Sequence, residues 1–334
     1  MSRLSLPVII ISWSLIMGAG FAAILGNPAQ AEDSIHWNVM VCNPLLRQLE
    51  METTWEAANA IGVDAIELGV NSDLVCSSLY VGNETPYRLD TPENAKKVRR
   101  DAQQNGLRTP VICASLRLDP SLEDSTAPAW TKTLIQNARH VGAKLIYFPI
   151  VAGNFSKPEY EDDLFVQRSI ALLKELSAFG EEHHIIIAIE NLSVYWNRPK
   201  ILRSVMGAFQ AGDLSLCLDP INLYWYGHPR AQVYELAREF IPRAEHFHVK
   251  NVAHPEDMRE AVRTPGWEYG KNSVPAADGD LDFKKILAWL HESGYQGAIS
   301  IEDDSLGHFP VAKRADVLRG DVAYLRRIIS DLQK

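Results

Sequence analysis

The sequence predicts a single (β/α)8 barrel over residues 32–334, and three observations carry that expectation. Eight short apolar, β-branched runs can be counted, each followed by an amphipathic or charged helical stretch. Four of the later runs stop abruptly at a polar ligand-type residue: Ile185 to Glu190, Leu214 to Asp219, Ala244 to His248 and Ala298 to Glu302. The steps from Glu190 to Asp219 and from Asp219 to His248 are both 29 residues, about one βαβ unit, and the last step of 54 leaves room for a long loop. Parallel strands joined by right-handed crossovers bring all their C-terminal tips to one face, so these four residues are expected to converge.

Taken in order, Ile35 to Cys42 reads as the first strand, and Pro44 to Ile61 as a helix stopped by Gly62. Val63 to Val70 is the second strand, and the turn-rich stretch Asn71 to Thr91 is a long loop on the functional face. A charged helix over Pro92 to Asn105 leads to a strand over Thr109 to Leu116. A helix over Trp130 to Val141 then leads to a strand over Lys144 to Val151. The helix Glu159 to His183 shows its apolar face at Leu164, Leu172, Leu173 and Leu176. After the Glu190 strand come a helix over Pro199 to Ala211, the Asp219 strand, an aromatic loop at Tyr224 to Tyr226, and a helix over Arg230 to Phe240. The Pro- and Gly-rich Val252 to Asp280 segment fills most of the 54-residue step. Helices over Leu281 to Glu292 and Val311 to Leu332 bracket the last strand.

Composition narrows the function classes. Apolar residues make up 46% of the chain and charged ones 22%, ordinary values for a globular core. The net charge is −9, or −10 once Arg3 is removed, which excludes the basic footprint of a nucleic-acid binder. Residues 1–31 read as an export signal: Arg3, an apolar stretch centred on Val8 to Met17, then Ala29-Gln30-Ala31 before Glu32-Asp33. The expected location is therefore periplasmic or secreted, with an uncleaved membrane anchor as the alternative. No other run is long and apolar enough to span a bilayer, so no membrane association is expected beyond this segment. Cys42, Cys76, Cys113 and Cys217 match no zinc spacing, and three lie in apolar runs as buried thiols do. An oxidising destination also permits disulfides.

Side chains two apart on a strand share a face. If His248 points into the barrel, so do His246 and Lys250, while Phe247 and Val249 pack under the helices. The same alternation puts Ala188 below Glu190, Cys217 below Asp219 and Ser300 below Glu302, and puts Glu67 on the face of Ala65 and Gly69. A lone acid at a strand end is usually a helix cap or a surface ion pair. Three clustered carboxylates repel one another without a cation, so the set Glu190, Asp219, His248 and Glu302 points to one shared divalent metal. Oxygen-rich ligation with one imidazole suits Mn²⁺, Mg²⁺, Co²⁺ or Zn²⁺. His246 reads either as a satisfied interior histidine or as a residue that orients a ligand. Trp196 and Trp225, with their neighbouring tyrosines, read either as loop packing or as surfaces for a sugar face.

Several segments together resemble the xylose isomerase-like barrels, the sugar phosphate isomerase/epimerase group that includes ketose 3-epimerases, inosose dehydratases and endonuclease IV. They are Gly62-Val-Asp-Ala-Ile-Glu-Leu-Gly69, Ile189-Glu-Asn191, Leu218-Asp-Pro-Ile-Asn222, Phe247-His-Val-Lys-Asn251, and Ala277-Asp-Gly-Asp-Leu-Asp-Phe283 running on to Glu302. The resemblance implies that Glu190, Asp219, His248 and Glu302 hold one divalent metal and that Glu190 and Glu302 also serve as acid and base. Asn222 stands where many epimerases carry a substrate-binding histidine, and Lys250-Asn251 matches a His-x-Lys-Asp/Asn variant. Lys250 reads as a substrate anchor or as an inward cation paired with Glu67.

The expected activity is that of a metal-dependent isomerase or epimerase on a free or oxidised sugar, removing a proton beside a carbonyl through an enediolate. A lyase or dehydratase on a keto-sugar or keto-inositol shares the first half of that reaction. A phosphodiester hydrolase needs further ligands that Asn43, Glu67, Ser115 and Pro149 do not supply. A non-catalytic, metal-containing sugar-binding barrel is the reading from another class. Self-association into a homo-oligomer is compatible with any of these.

Overall fold

A computed structural model describes residues 37–42, 44–121 and 127–334. The export signal expected over residues 1–31 therefore lies outside the described residues. Eight parallel strands close into a barrel: β1 (Val39–Cys42), β2 (Ala65–Val70), β3 (Arg108–Ala114), β4 (Leu145–Phe148), β5 (Ile186–Glu190), β6 (Ser215–Leu218), β7 (Ala244–Val249) and β8 (Ala298–Ile301). The ring runs in sequence order, with β1 hydrogen-bonded to both β2 and β8. Each strand is followed by a helix on the outside: α1 (Thr54–Ile61), α2 (Pro92–Gln104), α3 (Ala129–Val141), α4 (Asp162–Glu182), α5 (Pro199–Met206), α6 (Arg230–Phe240), α7 (Phe283–Glu292) and α8 (Val311–Leu332).

The alternation read from the strands separates two apolar layers. Phe247, Val249, Leu216, Leu218, Ile187, Ile189, Ile299 and Ile301 pack outward under the helices in one large core. Met40, Ala65, Val111, Leu145, Tyr147, Ala188, Cys217 and Ala298 form a separate group that plugs the barrel interior. Small side chains dominate that plug below the C-terminal tips, which is what leaves space for two buried histidines. The four cysteines are free thiols. Among the described residues no helix is long and apolar enough to cross a membrane.

Three expectations need correction. The helix expected over Pro44 to Ile61 is broken: a turn at Pro44–Arg47 gives way to Glu50 with φ 55°, and α1 starts afresh where Thr53 Oγ1 accepts the Glu56 N–H. The aromatic stretch Tyr224 to Tyr226 is not loop but the end of a short helix, Pro220–Tyr226. An Asp-Pro pair at its start supplies a cap and a first residue with preset φ, a combination that starts helices. Finally, Trp196 is fully buried, packs edge-on against Phe165 and donates its indole N–H to Ile150 O at 2.7 Å. It holds the wall of the barrel and has no open face for a sugar.

The long segment after β7 is anchored by Asn251, whose amide donates to Ala276 O and Leu281 O and whose oxygen accepts the Val252 N–H. Gly279 lets the Asp-Gly-Asp turn lie on that amide, since a Cβ there would stand 2.2 Å from Asn251 Cγ. Asp321 on α8 ties the same segment down by accepting the Ala276 N–H at 2.9 Å. Replacing Trp196 with alanine is expected to cost about 3–5 kcal/mol by loss of packing. Urea denaturation measures this, and Trp196→Phe should recover most of the loss.

Candidate active site

Glu190 closes β5, Asp219 and Glu302 directly follow β6 and β8, and His248 lies near the end of β7, so the closed ring alone brings the four together. One ligand-type atom from each lies within 4.8 Å of the others. His248 Nδ1 is 3.6 Å from Glu190 Oε1 and 3.4 Å from Glu302 Oε2. Asp219 plays two parts: Oδ1 caps the short helix by accepting from the Ile221 and Asn222 N–H groups, while Oδ2 faces the cluster. Its backbone is fixed by Asn191, which donates to Asp219 O and accepts from Asp219 N, both at 2.8 Å.

Lys250 reaches back into this group. A strand rises about 3.3 Å per residue, so Lys250 stands roughly 7 Å nearer the mouth than His248. Its ammonium donates to Glu302 Oε2 at 2.7 Å, lies 3.0 Å from Asp219 Oδ2 without the alignment of a hydrogen bond, and is 3.8 Å from Asp304. The alternative pairing with Glu67 is therefore not made, because Glu67 sits lower in the barrel. There, fully buried, Glu67 accepts from Tyr147 and Cys42 through Oε1, and its Oε2 lies 2.7 Å from His246 Nε2 and 3.2 Å from His248 Nε2.

The electrostatics set the two glutamates apart. Burial holds the Glu190 carboxyl above its usual range, against His248 and Lys250, which favour the charge. Burial acts the same way on Glu302, but Lys250 and His248 outweigh it and bring the carboxyl to about 2. Burial opposes the charge on Lys250, yet Asp219 and Glu302 raise its pKa well above the ordinary value. Asn222 donates to Glu190 Oε1 at 3.0 Å. Within the cluster, two buried atoms have no hydrogen-bond partner among the described residues: Asp219 Oδ2, which ion-pairs with Lys250 at 3.0 Å, and His248 Nδ1. Both belong to the four-residue cluster; Asp219 Oδ2 offers a lone pair to its centre, and His248 Nδ1 does so when the ring is neutral. Such a donor set, three carboxylates and one imidazole nitrogen, fits a divalent cation.

A family model described as the xylose isomerase-like TIM barrel matches residues 55–328. The chain belongs to this family. A search of curated protein sequences finds no match. Among solved structures, a xylose isomerase-like TIM barrel protein from Mycobacterium smegmatis in complex with magnesium aligns with TM-score 0.58 at 15% identity, covering 84% of this chain and 88% of that one. An L-ribulose 3-epimerase aligns at 0.60 and 14%, covering 89% and 95%. A probable 3-DHS dehydratase from Bacillus anthracis aligns at 0.57 and 15%, covering 86% and 98%. At these identities the likeness is one of fold.

Within this xylose isomerase-like barrel, Glu190, Asp219, His248, Glu302, Lys250 and Asn222 form one connected group, with His246 and Glu67 beneath it. Trp225 is partly buried and meets Phe155 edge-on, ring centroids 5.1 Å apart, and Phe155 is 39% exposed. Sequence reasoning left out Asn191, Asp304, Tyr147 and Phe155. Tyr147 could have been found by strand alternation, because it stands two residues from inward-facing Leu145. Asp304 follows the strand tip and enters only because Lys250 and Tyr269 reach it, the latter donating at 2.7 Å.

Replacing Lys250 with methionine leaves Asp219 and Glu302 unpaired and is expected to destabilise the metal-free protein by ~3 kcal/mol, as when one partner of a buried pair is removed. Denaturation in excess chelator measures it. A depressed carboxylate pKa adds stability at pH above the unfolded value and loses it as pH falls. The Glu302 contribution should thus be complete above pH 4.5 and fade toward pH 2. Glu302→Gln should show a shallower loss across that window in urea titrations.

Proposed function

We propose that this protein is a divalent-metal-dependent sugar isomerase or epimerase that removes and returns a proton on the carbon beside a carbonyl. The observation that carries the reading is the convergence of Glu190, Asp219, His248 and Glu302 within 4.8 Å of one another, with Asp219 Oδ2 and His248 Nδ1 buried and without a hydrogen-bond partner among the described residues. An ion bound there would polarise a carbonyl and a neighbouring hydroxyl, making the intervening C–H acidic.

The chain's own groups supply the rest. Glu190, whose carboxyl burial makes more basic than usual, is suited to take the proton, and Asn222 holds its orientation. Glu302, with its side chain 27% exposed, is the second carboxylate; ionised in the resting site, it would relay to the carbon a proton taken from the buried Lys250 ammonium 2.7 Å away. Trp225 and Phe155 offer an aromatic rim that suits a sugar face. The epimerases among the structural neighbours agree with this chemistry. We include export in the proposal, on the residue pattern of positions 1–31.

A lyase is the second reading, and a specific contact favours it. The Lys250 ammonium lies 2.7 Å from Glu302 Oε2, so a proton donor for a departing hydroxyl stands beside a carboxylate. Elemental analysis of the purified protein reconstituted with Mn²⁺, Co²⁺ or Zn²⁺ should find one ion per chain, lost or weakened in Glu190→Gln and His248→Ala. Incubation with ketoses and keto-sugars in D₂O should then place deuterium on the carbon beside the carbonyl. Loss of water from the product would select the lyase. A parent that binds no ion would leave the sugar-binding barrel as the surviving reading.

A further inference from the structure

Glu67 is fully buried, and polar atoms of four other side chains converge on its carboxylate. It lies on β2, away from the strands that carry the four candidate ligands. Tyr147 donates to Oε1 at 2.7 Å and Cys42 at 2.8 Å, while His246 Nε2 and His248 Nε2 lie 2.7 Å and 3.2 Å from Oε2. Tyr147 and Cys42 donate to one oxygen and the two histidine nitrogens face the other, which holds the group beneath the histidines. His246 is itself fixed, because its Nδ1 stands 3.1 Å from Ala298 O, a group that only accepts. Both ring nitrogens therefore face oxygens, at Ala298 and at Glu67, and neither is directed at the candidate ion site.

This has a consequence for His248. A neutral imidazole carries its hydrogen on one nitrogen and a lone pair on the other. Glu67 Oε2 stands 3.2 Å from Nε2, nearer than Glu190 Oε1 at 3.6 Å and Glu302 Oε2 at 3.4 Å stand to Nδ1, so the single hydrogen of the neutral ring is held on Nε2. Nδ1 is then left bare among Glu190 and Glu302, where among the described residues it has no hydrogen-bond partner. We infer that Glu67 is a positioning residue that locks His248 with its hydrogen on Nε2, so that Nδ1 is the atom presented to a divalent ion. The inference rests on the metal reading given above and adds to it a residue that never touches the ion. An arrangement of carboxylate, histidine and metal of this kind raises ligand basicity and fixes the ring, and its loss typically costs 10- to 100-fold in affinity.

Two measurements test it. Calorimetric titration of Zn²⁺ into the full chain should show affinity about 10- to 100-fold weaker for Glu67→Gln than for the parent. Tyr147→Phe, which removes a donor from the other carboxylate oxygen, should stay nearer the parent. Long-range ¹H–¹⁵N correlation spectra of the Zn²⁺-loaded parent, with His248 assigned by its absence in His248→Ala, should show a hydrogen on Nε2 and a metallated Nδ1. That second readout does not depend on whether Glu67→Gln folds. Parent-like affinity in a folded Glu67→Gln, or a His248 ring protonated on Nδ1 and metallated on Nε2, would overturn the inference while leaving the metal reading intact. A parent that takes up no Zn²⁺, Mn²⁺ or Co²⁺ would remove both.

Discussion

Three carboxylates from three strands, Glu190, Asp219 and Glu302, meet around one imidazole nitrogen at the end of a closed barrel, and their mutual repulsion is the constraint that orders the rest. Water cannot relieve it, since Asp219 and His248 are fully buried and Glu190 nearly so. Compensation has to come from fixed charge. Lys250 supplies part of it, reaching back from beyond the strand end to Glu302 and Asp219. The helix start at Asp219 supplies another part through two backbone N–H groups. Asp219 Oδ2 and His248 Nδ1, buried and without a hydrogen-bond partner among the described residues, mark where a further positive charge would fit.

The barrel makes this arrangement possible by sorting side chains. Every second residue of β5 to β8 goes to the apolar layer under the helices, and the intervening ones are small or polar. Ala188, Cys217 and Ser300 leave the volume in which His246, His248, Glu67 and Tyr147 interlock. Their polar atoms satisfy one another in a medium that would penalise any left alone. A network of this kind rigidifies the floor of the site, and it couples β2 and β4, which carry no candidate ligand, to β7, which carries His248.

The same geometry bears on chemistry. Glu190 and Glu302 resemble a pair on paper, yet burial raises one and Lys250 lowers the other, so they are not equivalent as bases. Membership of the xylose isomerase-like family is compatible with epimerases, isomerases and a dehydratase among the structural neighbours. The fold provides the ring of strand tips, and the choice among those reactions resides in what stands beside each carboxylate. In this chain Lys250 stands 2.7 Å from Glu302 and Asn222 3.0 Å from Glu190.

Much of this was legible in the amino-acid sequence. Period-two runs ending in Glu190, Asp219, His248 and Glu302, 29 residues apart where the connections are short, determined the barrel and the converging ligand set, because strand periodicity and crossover handedness are local rules with global consequences. Inward-facing His246 and Glu67 followed from the same alternation. Which cation answers which acid did not, since Lys250 and Glu67 are 183 positions apart and their heights in the barrel depend on strand stagger. Nor could sequence tell that Trp196 faces the barrel wall, because both readings of an aromatic residue after a strand tip have the same pattern. Tertiary structure decided these points: ion pairing and burial depend on distances fixed only when the eight strands close.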